Sequence, residues 1–194
     1  MSRYSSDILK YISEEIECLN KIDINEIDRA LNSLEEALVR GNKIFVFGNG
    51  GSASTASHFQ NDFNYLNRGT NFKKFQFVCL NDNIPTIMAI ANDIGYDAVF
   101  RYQIEGRMRE GDIVIAISCS GNSKNVLEAV EYAKDNKNQV IGVTGFTGGR
   151  LKEMADISLH VPINNMQIAE DVHLMFNHLM MHILNKAIAN LKED

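Results

Sequence analysis

The residues best suited to chemistry lie in three stretches. The first is Gly48-Asn49-Gly50-Gly51-Ser52, followed by Ala53, Ser54, Thr55 and Ala56 and then by His58 and Asp62. It follows the β-branched and aromatic run Ile44-Phe45-Val46-Phe47, which reads as a buried parallel strand. A strand, a glycine turn and a helix N-terminus together leave backbone N–H groups and a helix dipole facing an anion. His58 and Asp62 are four apart and share one face of that helix. An imidazole and a carboxylate beside an anion cradle suit chemistry on a phosphorylated molecule. Taken alone, the turn is any tight turn that wants glycine, and the pair is a helix-surface hydrogen bond. Neither Gly-x-Gly-x-x-Gly nor Gly-Lys-Ser/Thr follows, which argues against the common dinucleotide and ATP sites.

The second stretch is Ser118-Cys119-Ser120-Gly121-Asn122-Ser123. Serine hydroxyls and free backbone N–H groups make a phosphate cup without lysine; a Ser-rich capping turn is the plainer alternative. The third is the C-terminal segment with Glu170, His173, His178 and His182 set among apolar residues. Glu170 and His178 lie about 80° apart around an ideal helix. His178/His182 and Glu170/His173 are further metal-competent pairs. A single histidine on an apolar face is more often a core residue, and that applies to His173 and His182.

These stretches need a frame. Apolar periodicity predicts helices over residues 7–19 and from Ile24 to near Gly41, the second preceded by Asp23. Strands are predicted over 43–47, 75–80, 112–117, 139–143 and 157–161. Helices are predicted over about 52–66, from Ile84-Pro85 to Asp93, over 96–109, over 126–134 and over 166–191. Residues 144–149 read as a polar connector. The alternation implies an α/β fold, a three-layer α/β/α sandwich on a parallel sheet, as one domain over 1–194. Ligands in such sheets lie beyond the C-terminal strand ends, where the first two stretches fall. The two leading helices, within residues 5–40, are expected in a subunit interface because an apolar stripe needs a cover.

The chain has 194 residues, a formal net charge of −6 and 45% hydrophobic residues. No basic block points to nucleic acid, and no apolar run is long enough to span a membrane. Met-Ser-Arg-Tyr-Ser-Ser at the start lacks a signal-peptide core. Three widely spaced cysteines suit reduced thiols in the cytoplasm.

With both loops in place, the chain resembles the sugar isomerase (SIS) domain, and its fuller pattern resembles the phosphoheptose isomerases. The added matches are His58-Phe59, Ala91-Asn92-Asp93 and the segment from Glu170 to His178. The resemblance implies a flavodoxin-like five-stranded parallel sheet and a homotetramer with sites at subunit interfaces. It also implies conversion of sedoheptulose 7-phosphate into D-glycero-D-manno-heptose 7-phosphate for bacterial surface polysaccharide (lipopolysaccharide or capsule), and a divalent metal, zinc. Carried over by position, Ser52, Ser118, Ser120 and Ser123 grip phosphate, with Cys119 beside them. Asn49, Gly50, Gly51, Asn92 and Asp93 line the sugar, as do His58 and Glu170. Asp62 and His178 are catalytic, and His58, Asp62, Glu170 and His178 hold the metal.

Two positions depart from that family: Asp62 stands where Glu is usual, and Glu170 where Gln is usual. Both keep oxygen ligands, and Glu170 adds a charge suited to a divalent cation. Aldose–ketose interconversion needs a base at carbon, an acid at oxygen and charge stabilisation at the developing oxyanion. A free Asp titrates at about 3.9, so Asp62 as base needs a site or a metal that helps it. A phosphosugar-binding or protein-binding regulator and an isomerase of another sugar phosphate are the alternatives the same loops allow.

Overall fold

Neighbouring residues of one strand feed two different cores. In β1 (Lys43–Gly48), Ile44 and Val46 join one buried cluster, while Phe45 and Phe47 join the other. A strand buried on both faces belongs in a parallel sheet covered on both sides. The other strands are β2 (Gln76–Cys79), β3 (Ile113–Ser118), β4 (Gln139–Thr144) and β5 (Ile157–His160). The computed structural model describes residues 3–66 and 73–190. All five strands form one parallel sheet in the order β2-β1-β3-β4-β5, the flavodoxin-like order expected.

The helices are α1 (Ser5–Leu19), α2 (Ile24–Arg40), α3 (Gly51–Tyr65), α4 (Ile84–Asp93), α5 (Arg101–Ile104), α6 (Lys124–Asp135), α7 (Gly149–Met154) and α8 (Met166–Asn190). Buried residues of α1, α2, α3 and α8 share the first cluster, and those of α4 to α7 share the second. Local chemistry sets several ends. Asp23 caps α2 by accepting from the N–H of Asn25, and Gly41 ends it in the left-handed region at φ 74°. Asn83 caps α4, whose first turn holds Pro85.

Two expectations need correction. Residues 96–109 do not form one helix: a 3-10 turn, Tyr96–Ala98, precedes the four-residue α5. The chain is pulled inward there, because the Gln103 amide donates to the carbonyls of Leu80 and Val99. The polar connector after β4 runs into α7, which was not expected; at six residues it carries too few apolar positions to show a period. The last helix was expected to reach residue 191, which lies outside the described residues.

The aromatic core fixes α3 in rotation. Phe59 and Phe63 are fully buried, with Phe63 and Phe77 rings 4.6 Å apart and Phe59 and Phe63 rings 5.9 Å apart. Each buried phenyl contributes about 1.5–3 kcal/mol. His58 and Asp62 each precede one of these anchors, so burying the anchors carries both to the rim beside α8. On α8 the stripe Val172, Phe176, Met180, Leu184 and Ile188 is buried at four-residue spacing, which sets His178 on the flank facing α3.

Candidate active site

Three ligand-type side chains converge where α3 meets α8. His58 Nε2 lies 3.2 Å from Asp62 Oδ2, and His178 Nε2 lies 3.8 Å from the same oxygen. The two imidazole Nε2 atoms are 3.4 Å apart, with the rings edge to face. All three donor atoms fall within 4.8 Å of one another. The buried Asn177 donates its amide to Asp62 Oδ2 at 2.8 Å and so orients the carboxylate. Two imidazole nitrogens and a carboxylate oxygen, part exposed, form a donor set that fits a zinc-like divalent cation with an open position.

The second cluster lies at the C-terminal ends of β1 and β3, where the chain leaves the sheet in opposite directions. A cavity of about 190 Å³ is lined there by Asn49, Ser52, Ser118, Cys119, Ser120, Ser123 and Glu170, with Ile117, Phe146 and Met166. Ser118 Oγ lies 3.2 Å from Ser123 Oγ and 3.5 Å from Ser120 Oγ. Neither α3 nor α6 is capped by a side chain; the N-cap Ser123 turns its hydroxyl to Ser118 instead. Two helix N-termini and three clustered hydroxyls thus make an anion cup. The absence of a side chain at Gly51 lets the Glu170 carboxylate lie against its backbone, since a Cβ there would be 2.4 Å from a Glu170 oxygen.

The cup is braced from behind by Gly145 of the segment read as a connector and by the first turn of α7. Gly145 N–H donates to the Cys119 carbonyl, Leu151 N–H to the Gly121 carbonyl, and Arg150 N–H to Asn122 Oδ1. No motif in 144–149 announces this, since the contacts are made by backbone.

Glu170 stands apart from the three convergent ligands. It was expected as a fourth, yet two helical turns separate it from His178 and its carboxylate lies over Gly51 in the wall of the cup. Among the described residues the metal-competent group is His58, Asp62 and His178. Cys119 Sγ is 4.0 Å from Glu170 Oε1. Burial first, and that carboxylate second, push the thiol up to about 11, so it stays protonated at neutral pH. Asn92 and Asp93 lie exposed at the end of α4, with Asn92 donating to Asp93 at 2.7 Å. They do not line the cup of their own chain; Asp93 borders a separate hollow with Ile90, Tyr102 and Arg107.

His173 is a core residue. It is fully buried, with Nδ1 3.9 Å from Cys119 Sγ, and burial pushes its pKa down to about 4. An unfolded imidazole titrates near 6.5. Between those values the unfolded chain binds a proton that the folded chain refuses, so stability falls as pH drops from about 6.5 to about 4. The urea midpoint of a His173→Leu variant should therefore fall less between about pH 7 and pH 5 than that of the parent. Equal falls would remove His173 as the cause. His182 is exposed.

Sequence reasoning missed Asn177, Asn125 and Tyr96. Asn177 had a signal, being adjacent to His178. Asn125 and Tyr96 become visible only once the start of α6 and the 3-10 turn meet at Asn49.

A parallel sheet ordered 2-1-3-4-5, with a glycine turn after β1 and a serine cup after β3, defines a SIS-domain protein, and the SIS domain family model matches residues 8–145. The phosphoheptose isomerase of Aliarcobacter butzleri is 37% identical over 164 residues, covering 84% of this chain and 86% of that relative. That of Helicobacter pylori is 36% identical over 167 residues, covering 84% and 85%. The solved phosphoheptose isomerase from Neisseria gonorrhoeae superposes with a TM-score of 0.85 at 31% identity, over 93% of this chain and 98% of that one. The chain belongs to the phosphoheptose isomerase family.

Proposed function

We propose that the protein is an aldose–ketose isomerase converting sedoheptulose 7-phosphate into D-glycero-D-manno-heptose 7-phosphate through an enediol(ate), for heptose synthesis. One observation carries this reading. Helices α3 and α8 each contribute to both the anion cup, through Ser52 and Glu170, and the carboxylate–imidazole group, through His58, Asp62 and His178. A sugar phosphate held by its phosphate in the cup thus has acid–base groups on the same two supports.

Ser52, Ser118, Ser120 and Ser123 donate to the phosphate oxygens, with Cys119 closing the wall. Asn49, in the wall of the cup, and the backbone at Gly50 and Gly51 lie where phosphate meets sugar, and Glu170 accepts from a sugar hydroxyl. Asn92 and Asp93 serve the sugar only if a neighbouring copy brings them to it. Asp62 removes a proton from C1 of the ketose, leaving the enediol(ate). His178 carries a proton between the oxygens on C1 and C2, and reprotonation at C2 yields the aldose. Asn177 holds the Asp62 carboxylate in place throughout. A divalent cation such as zinc, held by His58, Asp62 and His178, would supply Lewis acidity at the substrate oxygens.

Turnover in deuterated water tests the reaction. Deuterium should enter at C2 of a newly formed aldose, seen by NMR; no exchange from folded, metal-supplemented protein would overturn the reading. Exhaustive chelation should abolish turnover and zinc should restore it, whereas full turnover after chelation would remove the metal from the mechanism.

The enzyme is read as a cytoplasmic homotetramer feeding lipopolysaccharide or capsule synthesis. Its three cysteines are unpaired, which supports a reducing compartment. No helix among the described residues is long and apolar enough to cross a membrane. Ile8, Leu9, Ile12 and Ile16 on α1 are all about half exposed or more, which supports burial of that helix between copies. Sedimentation of the purified chain measures the assembly.

A further inference from the structure

The amides of Asn49 and Asn125 are locked face to face. Asn49 Nδ2 donates to Asn125 Oδ1 at 2.9 Å, and Asn125 Nδ2 returns the bond to Asn49 Oδ1, also at 2.9 Å. The Tyr96 hydroxyl donates to the same Asn49 Oδ1 at 2.8 Å. Asn125 Oδ1 also accepts from the N–H of Val126 at 3.0 Å. Each carbonyl oxygen therefore has two donors, which is its full complement of lone pairs.

The orientation of both amides follows from these partners. Turning Asn125 around would aim its NH₂ at the Val126 N–H and set its oxygen against Asn49 Oδ1. Turning Asn49 around would confront the Tyr96 hydroxyl and Asn125 Nδ2 with an NH₂. Asn125 is 2% exposed, so water cannot replace a lost partner there. Asn49 lines the serine cavity. With Oδ1 saturated and one amide hydrogen committed to Asn125, its remaining capacity is a single Nδ2–H.

We propose that Asn125 and Tyr96 are positioning residues, which hold Asn49 so that it offers one N–H donor and no acceptor to an oxygen of the bound sugar phosphate. The inference rests on reading the cavity as the phosphate end of an isomerase site. Its chemical consequence is selectivity: phosphate oxygens, which only accept, find a donor, while a hydroxyl seeking an acceptor finds none at this position. Tyr96 belongs to the segment between α4 and α5, so the device also ties that segment to the cup.

The test compares Tyr96→Phe and Asn125→Asp, each alone and in an Asn49→Ala background. It reads kcat and KM with sedoheptulose 7-phosphate, and the side-chain ¹⁵N–¹H signals of Asn49 during titration with inorganic phosphate. Tyr96 is 56% exposed, so removing its hydroxyl opens no buried cavity. Loss of one oriented hydrogen bond predicts a KM raised about three- to tenfold with kcat within about twofold. In the Asn49→Ala background neither substitution should raise KM further. Phosphate should shift one Asn49 amide hydrogen and leave the other, bonded to Asn125, in place. Undiminished effects in the Asn49→Ala background would overturn the proposal, since charge or packing would then be the cause. Phosphate shifts at both amide hydrogens, or at neither, would overturn it as well. Absence of turnover in the parent would sink the isomerase reading alone, because the phosphate titration judges Asn49 without catalysis.

Discussion

Asp62→Asn is expected to lower kcat for sedoheptulose 7-phosphate by about 10²–10⁴-fold, the usual contribution of a positioned general base. The substitution keeps the shape and the bond from the buried Asn177, which donates to Asp62 Oδ2, and gives up only the exposed bond that Asn61 donates to Oδ1. Asp62 lies between two buried phenyl anchors, Phe59 and Phe63, that hold α3 regardless of the residue at 62. The cup lies elsewhere, so binding of inorganic phosphate should stay within about twofold of the parent, less than one hydrogen bond's worth. Because the same oxygen belongs to the metal-competent group, bound zinc should be measured alongside. A kcat loss at full zinc content identifies the base; a loss that excess zinc repairs identifies a ligand only. Turnover within about threefold of the parent at unchanged zinc would remove Asp62 from proton transfer.

Gly121→Ala carries the largest expected structural cost. Gly121 has φ +64°, and a Cβ there would lie 1.8 Å from the Gly148 carbonyl oxygen and 2.5 Å from its carbon. That carbonyl belongs to the turn leading into α7, and Gly121 itself accepts from Leu151 N–H at 2.9 Å. No rotamer relieves a clash between backbone atoms, so the serine loop and its brace must part. Strain in the left-handed region together with the lost contacts should cost about 3 kcal/mol or more. Gly50→Ala is the matched comparison, since Gly50 has φ +55° but open space around its Cβ position. It should cost only the backbone strain of φ +55° with ψ −123°, a conformation nearly confined to glycine, about 1–3 kcal/mol. Denaturant midpoints of the two variants separate strain from collision. Equal losses would mean that the two loops are not packed as described.

The sheet was legible because its strands are continuous apolar runs between turn signals, and burial on both faces demands that pattern. The two loops were legible for a related reason: glycine and serine beyond a strand end have few structural uses other than turning and binding. His58 with Asp62 could be read from i,i+4 spacing, and His178 from its place on the last long helix. Glu170 shows what spacing alone leaves open: its carboxylate lies over Gly51 in the wall of the cup, while His58, Asp62 and His178 form the convergent group. Helical angle fixes direction, but it leaves open what lies two turns away along the axis. Residues 96–109 were read as one helical segment, whereas the chain forms the 3-10 turn Tyr96–Ala98 and then the short α5, with Gln103 turned inward to the carbonyls of Leu80 and Val99. The Asn49–Asn125–Tyr96 lock joins residues as far as 76 positions apart in sequence, and such partners have no local signature.

The division of the site between α3 and α8 makes its assembly depend on the long C-terminal helix. A growing chain that has reached β4 already holds the glycine turn, the serine loop, His58 and Asp62. His178 and the Asn177 amide that steadies Asp62 follow only with α8. α8 also supplies a buried layer of the first core and Glu170 of the cup wall, and a domain folds as a unit, so cup and acid–base group form together. A chain without α8 would thus lack a covered sheet face, a closed cup and a complete acid–base group all at once.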